Sequence, residues 1–494
     1  MVPSVAQGSP IIAPHLSSLG YFCPMPEPAS TLRVAVIGAG PAGFFLCEKL
    51  LGQDQVPVEV DLYDRLPMPY GLVRFGVAPD HEKIKNVTRS FDKVAGRPGF
   101  HFFGNVDVGR HVSLDELKRH YHLIAYTTGA QTDRRMGIPG EDLAGSHAAT
   151  EFVAWYNGHP EFCDCSFDLT AERVAVVGVG NVAVDVARML CRTPEELATT
   201  DIADHALEAL RGSRVKEVYL LGRRGPAQAA FTTPEVKELG EMDGADARTI
   251  AEEVELDPLS VAEVARDGDP ALHRKLEVLR DFAARPPTGK SRLLTIRFLV
   301  SPLELVGDRE GRVRAIRLVR NRLVERNGAL AAEPTGVMEE LPVDLVFRSV
   351  GYRGVAIDGL PFHERSGTVP NQLGRVTDPA SDAPLLGLYV SGWIKRGPTG
   401  VIGTNKPDAA ETAEVMLADA AAGRTLTPEA PSWEAIEALL RSRQPDLVAW
   451  PDWLRLNQHE TGRGKAAGRP RIKLIRAEEV LAALRESARE PIRG

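Results

Sequence analysis

Twice in this chain a short apolar run ends in a glycine-rich hexapeptide, and a helical pattern follows at once. The first is Arg33-Val34-Ala35-Val36-Ile37, then Gly38-Ala39-Gly40-Pro41-Ala42-Gly43. The second is Arg173-Val174-Ala175-Val176-Val177, then Gly178-Val179-Gly180-Asn181-Val182-Ala183. A strand that feeds a helix through such a turn opens a βαβ unit able to cradle a pyrophosphate. The first glycine permits the tight turn, the second lets backbone approach the phosphates, and the third, or an alanine, lets helix and strand pack closely. The helix start adds unpaired N–H groups and a partial positive charge. One hexapeptide alone could be any glycine-rich turn. Here strand, helix and second strand all follow in order, and the chain of 494 residues has room for two to four domains.

The two units differ in what closes them. In the first, the strand Val58–Tyr63 ends at Asp64, about twenty residues beyond the glycines, where a carboxylate can accept the ribose hydroxyls of an adenosine. In the second, Val218-Tyr219-Leu220-Leu221 ends in Gly222-Arg223-Arg224. An acid there would repel the extra phosphate of NADP, whereas guanidinium groups bind it bidentately. The plain alternative, two solvated surface charges, fits poorly with their place at a strand tip. The first site therefore suits FAD and the second NADP(H). The second strand lies farther from its glycines than usual, and Thr193 to Arg214 reads as an inserted loop and helix that restores the geometry.

Other segments fit around this pair. Tyr121 to Gly129 and Val343 to Gly351 are apolar strands closing on glycine, readable as crossings between the two nucleotide units. Gly387 to Trp393 reads as another strand, followed by the turn Arg396 to Gly403 and a helix from Ala409 to Leu417. Such a helix start, aimed at a flavin, would favour its anionic reduced form. Trp393 is either core packing or a cover for the isoalloxazine. The charged stretch Asp243 to Gly289 is expected to add helices to the second unit.

Net charge of −8 gives no nucleic-acid signal, and no apolar run approaches bilayer length, so membrane insertion is not expected. The five cysteines form no CxxC and no metal-ligand set, which points to reduced thiols in a cytoplasmic protein and argues against a flavin-dependent disulfide reductase. A glutamate-synthase-type small subunit would need cysteine clusters before the first glycine motif, and only Cys23 is there. Residues 1–31 lack Lys and Arg and fit neither a signal peptide nor a mitochondrial presequence; they read as a disordered extension, or as a start placed too early, with Met25 available.

Three long strings then carry a resemblance. Leu66-Pro67-Met68-Pro69-Tyr70-Gly71-Leu72-Val73-Arg74-Phe75-Gly76-Val77-Ala78-Pro79-Asp80-His81, Gly222-Arg223-Arg224-Gly225-Pro226, and Gly392-Trp393-Ile394-Lys395-Arg396-Gly397-Pro398-Thr399-Gly400-Val401-Ile402-Gly403 resemble the hallmarks of adrenodoxin-reductase-like ferredoxin–NADP(+) reductases, especially actinobacterial ones. The resemblance implies FAD contacts at Ala42, Asp64, Leu72, Val108, Trp393, Gly400, Val401 and Ile402, beside Gly38, Gly40 and Gly43. It implies NADPH contacts at Gly180, Asn181, Val182, Arg223, Arg224 and Glu235, beside Gly178. The family usually has Glu where Asp64 stands. His81 and Glu238 match positions near the nicotinamide–flavin contact, where an orienting or electrostatic role is expected in place of an obligatory base.

The expected fold is α/β, with two doubly wound Rossmann-like sheets. The FAD domain is discontinuous, 32–132 and 348–494, and the NADP domain, 133–347, is inserted. The expected function is electron transfer from NADPH through FAD to a ferredoxin-type iron–sulfur protein, with a cytochrome P450 as one candidate beyond it, in a monomer. The alternatives are a non-catalytic NADPH/FAD redox sensor and a reductase of another acceptor. An acidic partner calls for a basic docking face. The run Arg455, Arg463, Lys465, Arg469, Arg471, Lys473 and Arg476 is one candidate for it, and Arg214, Lys216, Lys395 and Arg396 are others.

Overall fold

Val34 and Val36 are buried on one face of their strand while Ala35 and Ile37 are buried on the other. A strand covered on both faces belongs in the middle of a parallel sheet. The computed structural model, which describes residues 31–487, places it there. The first sheet runs Asn371–Gln372, Arg375–Thr377, Pro384–Val390, Leu123–Tyr126, Leu32–Ile37, Val58–Tyr63, Phe100–Phe103. Its last five strands are parallel, and the two at the other end are antiparallel. The helix Pro41–Leu50 covers one face through Phe44, Leu46 and Leu50; the other packs on Leu117, Ile394, Ile436 and Leu440.

The second sheet is wholly parallel: Ser146–Ala148, Leu345–Arg348, Arg173–Val177, Glu217–Leu221, Arg292–Arg297, Ala245–Thr249. Helix Asn181–Cys191 lies on one face against Val174 and Val176. The opposite face, lined by Ala175 and Val177, is covered by an antiparallel sheet of Val300–Gly307, Val313–Arg326 and Ala329–Pro342 where helices were expected. Val313, Ile316, Leu318 and Leu341 supply its buried side. The stretch from Asp243 adds the expected helices and one strand besides. It begins with the edge strand Ala245–Thr249, and only then come helices Ala251–Val254, Pro258–Asp267 and Pro270–Ala284. The insertion after Thr193 holds helices Pro194–Leu197 and Asp204–Arg211. The expected extension falls, but for Thr31, outside the described residues, as does Cys23; Cys47, Cys163, Cys165 and Cys191 are free thiols.

The C-terminal basic run is not the free surface that a docking face requires. After helix Trp450–Ala466 the chain returns across both sheets' flanks, and its cations are engaged internally. Arg469 donates to the carbonyls of Thr200 and Ile202 and pairs with Asp204; Arg471 pairs with Glu460, and Arg476 with Asp164. Arg455 pairs with Asp452. Lys473 is fully buried, 3.3 Å from Asp201, which also holds Lys85 at 2.6 Å. Glu460, likewise buried, takes a bidentate pair from Arg74. Only Arg463 and Lys465 of the run stay exposed without an ion pair among the described residues. Lys216 is also paired, with Glu172, and Lys395 with Asp408 and Glu411.

Asp201 carries a clear prediction. Asp201→Ala leaves two buried ammonium groups without their carboxylate, and breaking a buried pair this way costs about 3–5 kcal/mol. Urea unfolding of the variant should show a loss of that size. A loss below 1 kcal/mol, the range of an exposed pair, would mean that this segment is not fastened as described.

Candidate active site

Each glycine turn is shaped by the same kind of neighbour, the carbonyl just past an adjacent strand. Gly38 has φ +113°, and a Cβ there would sit 2.7 Å from the carbonyl oxygen of Thr127, the residue after the strand Leu123–Tyr126. Gly178 has φ +138°, and a Cβ there would collide with the carbonyl oxygen of Ser349, the residue after Leu345–Arg348. The two crossing segments thus do the same job in each unit. Gly43 is forced as well, because a Cβ would strike the Gly38 carbonyl. Gly40 and Gly180 are different: a Cβ at either meets nothing within 4 Å. Helices Pro41–Leu50 and Asn181–Cys191 start from these two glycines with no side-chain cap from the N-cap residue, which leaves helix-start N–H groups for a ligand.

Around the first turn, the Asp64 carboxylate accepts from Ala39 N and Leu66 N, both at 2.9 Å. Burial pushes its pKa up, against those two bonds. Each oxygen retains a second lone pair for a further donor. Gly71, at φ +47°, lies 3.0 Å from Gly40 Cα by the same measure, and Tyr70 N donates to Ala39 O at 2.7 Å. Leu72 therefore begins its one-turn helix beside the glycine turn. Ala42 sits in the helix's first turn, where a Cβ on Gly392 would come within 2.6 Å of its own Cβ. This brings in the tryptophan turn. Trp393 stands half-exposed in the short helix Trp393–Arg396, just past the end of the strand Pro384–Val390; its ring is 5.3 Å from that of Tyr352, and its Nε1 donates to Thr399 O at 3.1 Å. Asp408 anchors the turn by accepting from Ser391 Oγ and Gly392 N. An open cavity of about 370 Å³ lies against Thr399, Gly400 and Asp408. Val401 is exposed, while Ile402 packs on the first core. Val108 is half-buried against the core on the sheet's other face.

Around the second turn, Val179 O accepts from Ala230 N and Phe231 N, and Asn181 Oδ1 from Thr232 N at 2.9 Å. Val182 is half-buried one residue further on. This fastening delivers helix Thr233–Glu238 to the cradle. Arg223 is exposed and Arg224 half-buried; neither pairs with a carboxylate among the described residues. Arg224 reaches only Gln228 O at 3.3 Å.

Between the cradles lies a charged seam. His81 Nε2 is 2.8 Å from Glu238 Oε2 and 3.8 Å from Glu235, with Nδ1 4.0 Å from Asp185. Burial opposes a charge on the imidazole, but the Glu238 hydrogen bond, with Asp185 and Asp80, outweighs it and raises its pKa. The same bond holds Glu238 below the usual carboxylate range, so Nε2–H donates to a carboxylate. Burial raises Glu235 and Asp185 instead. The resemblance placed Glu235 at NADPH, and the structure shows it within this seam. Sequence reasoning missed Asp185 and the two residues that complete the seam. Arg188 is fully buried, and Asp80 takes bonds from Arg188 and Arg192. The available signal was Asp80 beside His81 in the first string, and Asp185 with Arg188 three residues apart on one helix face.

Both cradles fit a dinucleotide on their own geometry: open second glycines, uncapped helix starts, an acid with free lone pairs in one and unpaired arginines in the other. A chain with two such cradles turned toward one seam is an oxidoreductase of the two-nucleotide class. Residues 32–221 match the model of the pyridine nucleotide-disulphide oxidoreductase family. The chain is 46% identical over 455 residues to NADPH-ferredoxin reductase FprA of Mycobacterium leprae, covering 91% of this chain and 97% of that one. It is 42% identical to the human mitochondrial NADPH:adrenodoxin oxidoreductase, with 91% of each covered. The solved structure of Mycobacterium tuberculosis FprA in complex with NADPH superposes with a TM-score of 0.85 at 45% identity, over 92% of this chain and 99% of that one. The chain belongs to the adrenodoxin-reductase-like family of ferredoxin–NADP(+) reductases.

Proposed function

We propose that this protein carries electrons from NADPH through FAD to a ferredoxin-type iron–sulfur protein. The observation that carries the reading is the pair of unequal cradles meeting at His81 and Glu238; the relatives' names supply the acceptor class. FAD would lie on the Gly38–Gly43 turn, with Asp64, Leu72, Val108, Trp393 and the Gly400–Ile402 turn around it. NADPH would lie on the Gly178–Val182 turn, its 2′-phosphate on Arg223 and Arg224. When bound, the flavin supplies the conversion of a two-electron input into one-electron outputs. The chain's own residues bind and orient: the helix starts hold phosphates, Asp408 holds the tryptophan turn, and the His81–Glu238 pair fixes charge at the seam. We assign 32–132 and 348–494 to the FAD domain and 133–347 to the NADP domain; the strands of the two large sheets divide along that line but for Arg348, which ends a strand of the second. We take the protein as a cytoplasmic monomer whose iron–sulfur partner can serve a cytochrome P450. No described helix is long and apolar enough to cross a membrane.

Anaerobic NADPH should bleach the flavin absorbance, and a ferredoxin with cytochrome c as terminal acceptor should restore it rapidly. Bleaching without reoxidation by any iron–sulfur protein would favour the sensor reading.

A further inference from the structure

Arg188 occupies an unusual position. It has no exposed surface, and its guanidinium is shared by carboxylates from three separate segments. Nε is 2.7 Å from Asp80, and Nη2 is 2.6 Å from Asp185. Nη1 is 3.4 Å from Glu235 and 3.8 Å from Glu238. Asp80 precedes His81 on the chain that leads out of the first cradle. Asp185 lies on the second cradle's helix, and Glu235 and Glu238 lie on the helix Thr233–Glu238. Three of these carboxylates also face His81.

We infer that Arg188 is the positioning residue of this site, the group that fastens the Pro79–His81 corner of the first unit to the two helices of the second and so holds His81 against Glu238. The inference rests on the roles given to His81 and Glu238 above. Its physical basis is charge. Asp80, Asp185, Glu235 and Glu238 crowd a poorly solvated seam, and without a cation among them they would repel one another. Arg192 neutralises Asp80 from one side only, and it is shared with Glu196. On the helix after His81, Lys83 is exposed and Lys85 is committed to Asp201. Tyr156, buried behind Asp185 and Arg188, has no partner for its hydroxyl and carries no charge to offer. Arginine suits the task because its planar fork can serve several carboxylates at fixed angles, which an ammonium cannot.

Glu238 raises His81 through the hydrogen bond that Arg188 is inferred to hold, which gives a test of positioning. The holoenzyme with oxidised flavin is labelled at the histidine Cε1, and the His81 signal is assigned by its loss in His81→Gln. With Arg188 in place, Glu238→Gln should lower the His81 pKa by about one unit or more. In an Arg188→Met background the same change should shift it far less, because His81 is no longer held against Glu238. Arg188→Lys restores the charge without the fork; it should leave the shift weak and flavin reduction by NADPH slower than in the parent. A lost coupling supports the proposal, and an undiminished shift overturns it. If Arg188→Met fails to fold, Arg188→Lys decides alone by the same comparison. His81→Gln also separates the two readings. If it leaves the rate of flavin reduction unchanged, the role given to His81 falls, whereas the shifts still judge Arg188.

Discussion

Replacing Arg223 and Arg224 together by glutamine is expected to weaken NADPH on the order of a thousandfold and to leave NADH where it was. The argument begins from the strand tip. The backbone there is held independently of the side chains, with Asn321 Nδ2 donating to Arg223 O at 2.8 Å and Leu299 N to Arg224 O at 3.1 Å. The guanidinium groups themselves hold no carboxylate among the described residues, so their loss removes little folding energy. What they can hold is a dianionic phosphate. Each hydrogen bond to a charged group contributes about 1.5–3 kcal/mol, so two arginines supply roughly 3–6 kcal/mol, or about two to four orders of magnitude in affinity. NADH lacks the phosphate and gains nothing from them. Titration of each nucleotide against the oxidised enzyme, with flavin content as the control for folding, gives the comparison. Equal weakening of both nucleotides would show that the arginines serve the cradle as a whole.

Much of this site can be read in the sequence because its chemistry is local. A strand, a glycine turn and a helix follow within a dozen or so residues, and the physics that requires Gly38 or Gly178 operates inside that span. The acid at Asp64 and the arginines at 223 and 224 sit one strand further, still within the same βαβ unit. What stayed hidden is nonlocal. Arg188 and Asp80 are far apart in the chain, and neither has a motif; only the packing of the two units makes them a pair. The same holds for the C-terminal run. As sequence it is a concentration of positive charge, and the structure sets most of it against Glu460 within the same segment and against Asp201, Asp204 and Asp164 from elsewhere in the chain. The antiparallel sheet of 300–342 shows a different limit. Its strands alternate only in part, and periodicity does not say which sheet's face they cover. The resemblance reached His81 and Glu238, and the structure adds their 2.8 Å contact and its charge.

Gly40→Val should give a protein that folds and purifies without yellow colour. The glycines of the first turn separate fold from ligand unusually well. At Gly38 a side chain meets backbone, and φ lies in the left-handed region, so even alanine would distort the turn itself. At Gly40 neither obstacle exists. Its φ is −84°, which any L-residue adopts, and the space ahead of its Cβ is empty for 4 Å. Nothing in the polypeptide demands a glycine there, so the demand must come from a molecule that the polypeptide binds. A valine at that point would stand between the uncapped helix start and a pyrophosphate. Losing two charge-assisted bonds at about 1.5–3 kcal/mol each already weakens binding by roughly two orders of magnitude or more, and flavin would be lost on purification. Circular dichroism should show the parent helix content, and the ratio of flavin to protein absorbance should fall close to zero. Gly180→Val makes the matching case for the second cradle: flavin retained, NADPH no longer bound. A Gly40→Val protein that keeps its full flavin complement would place the FAD pyrophosphate elsewhere and undo the assignment of the first cradle.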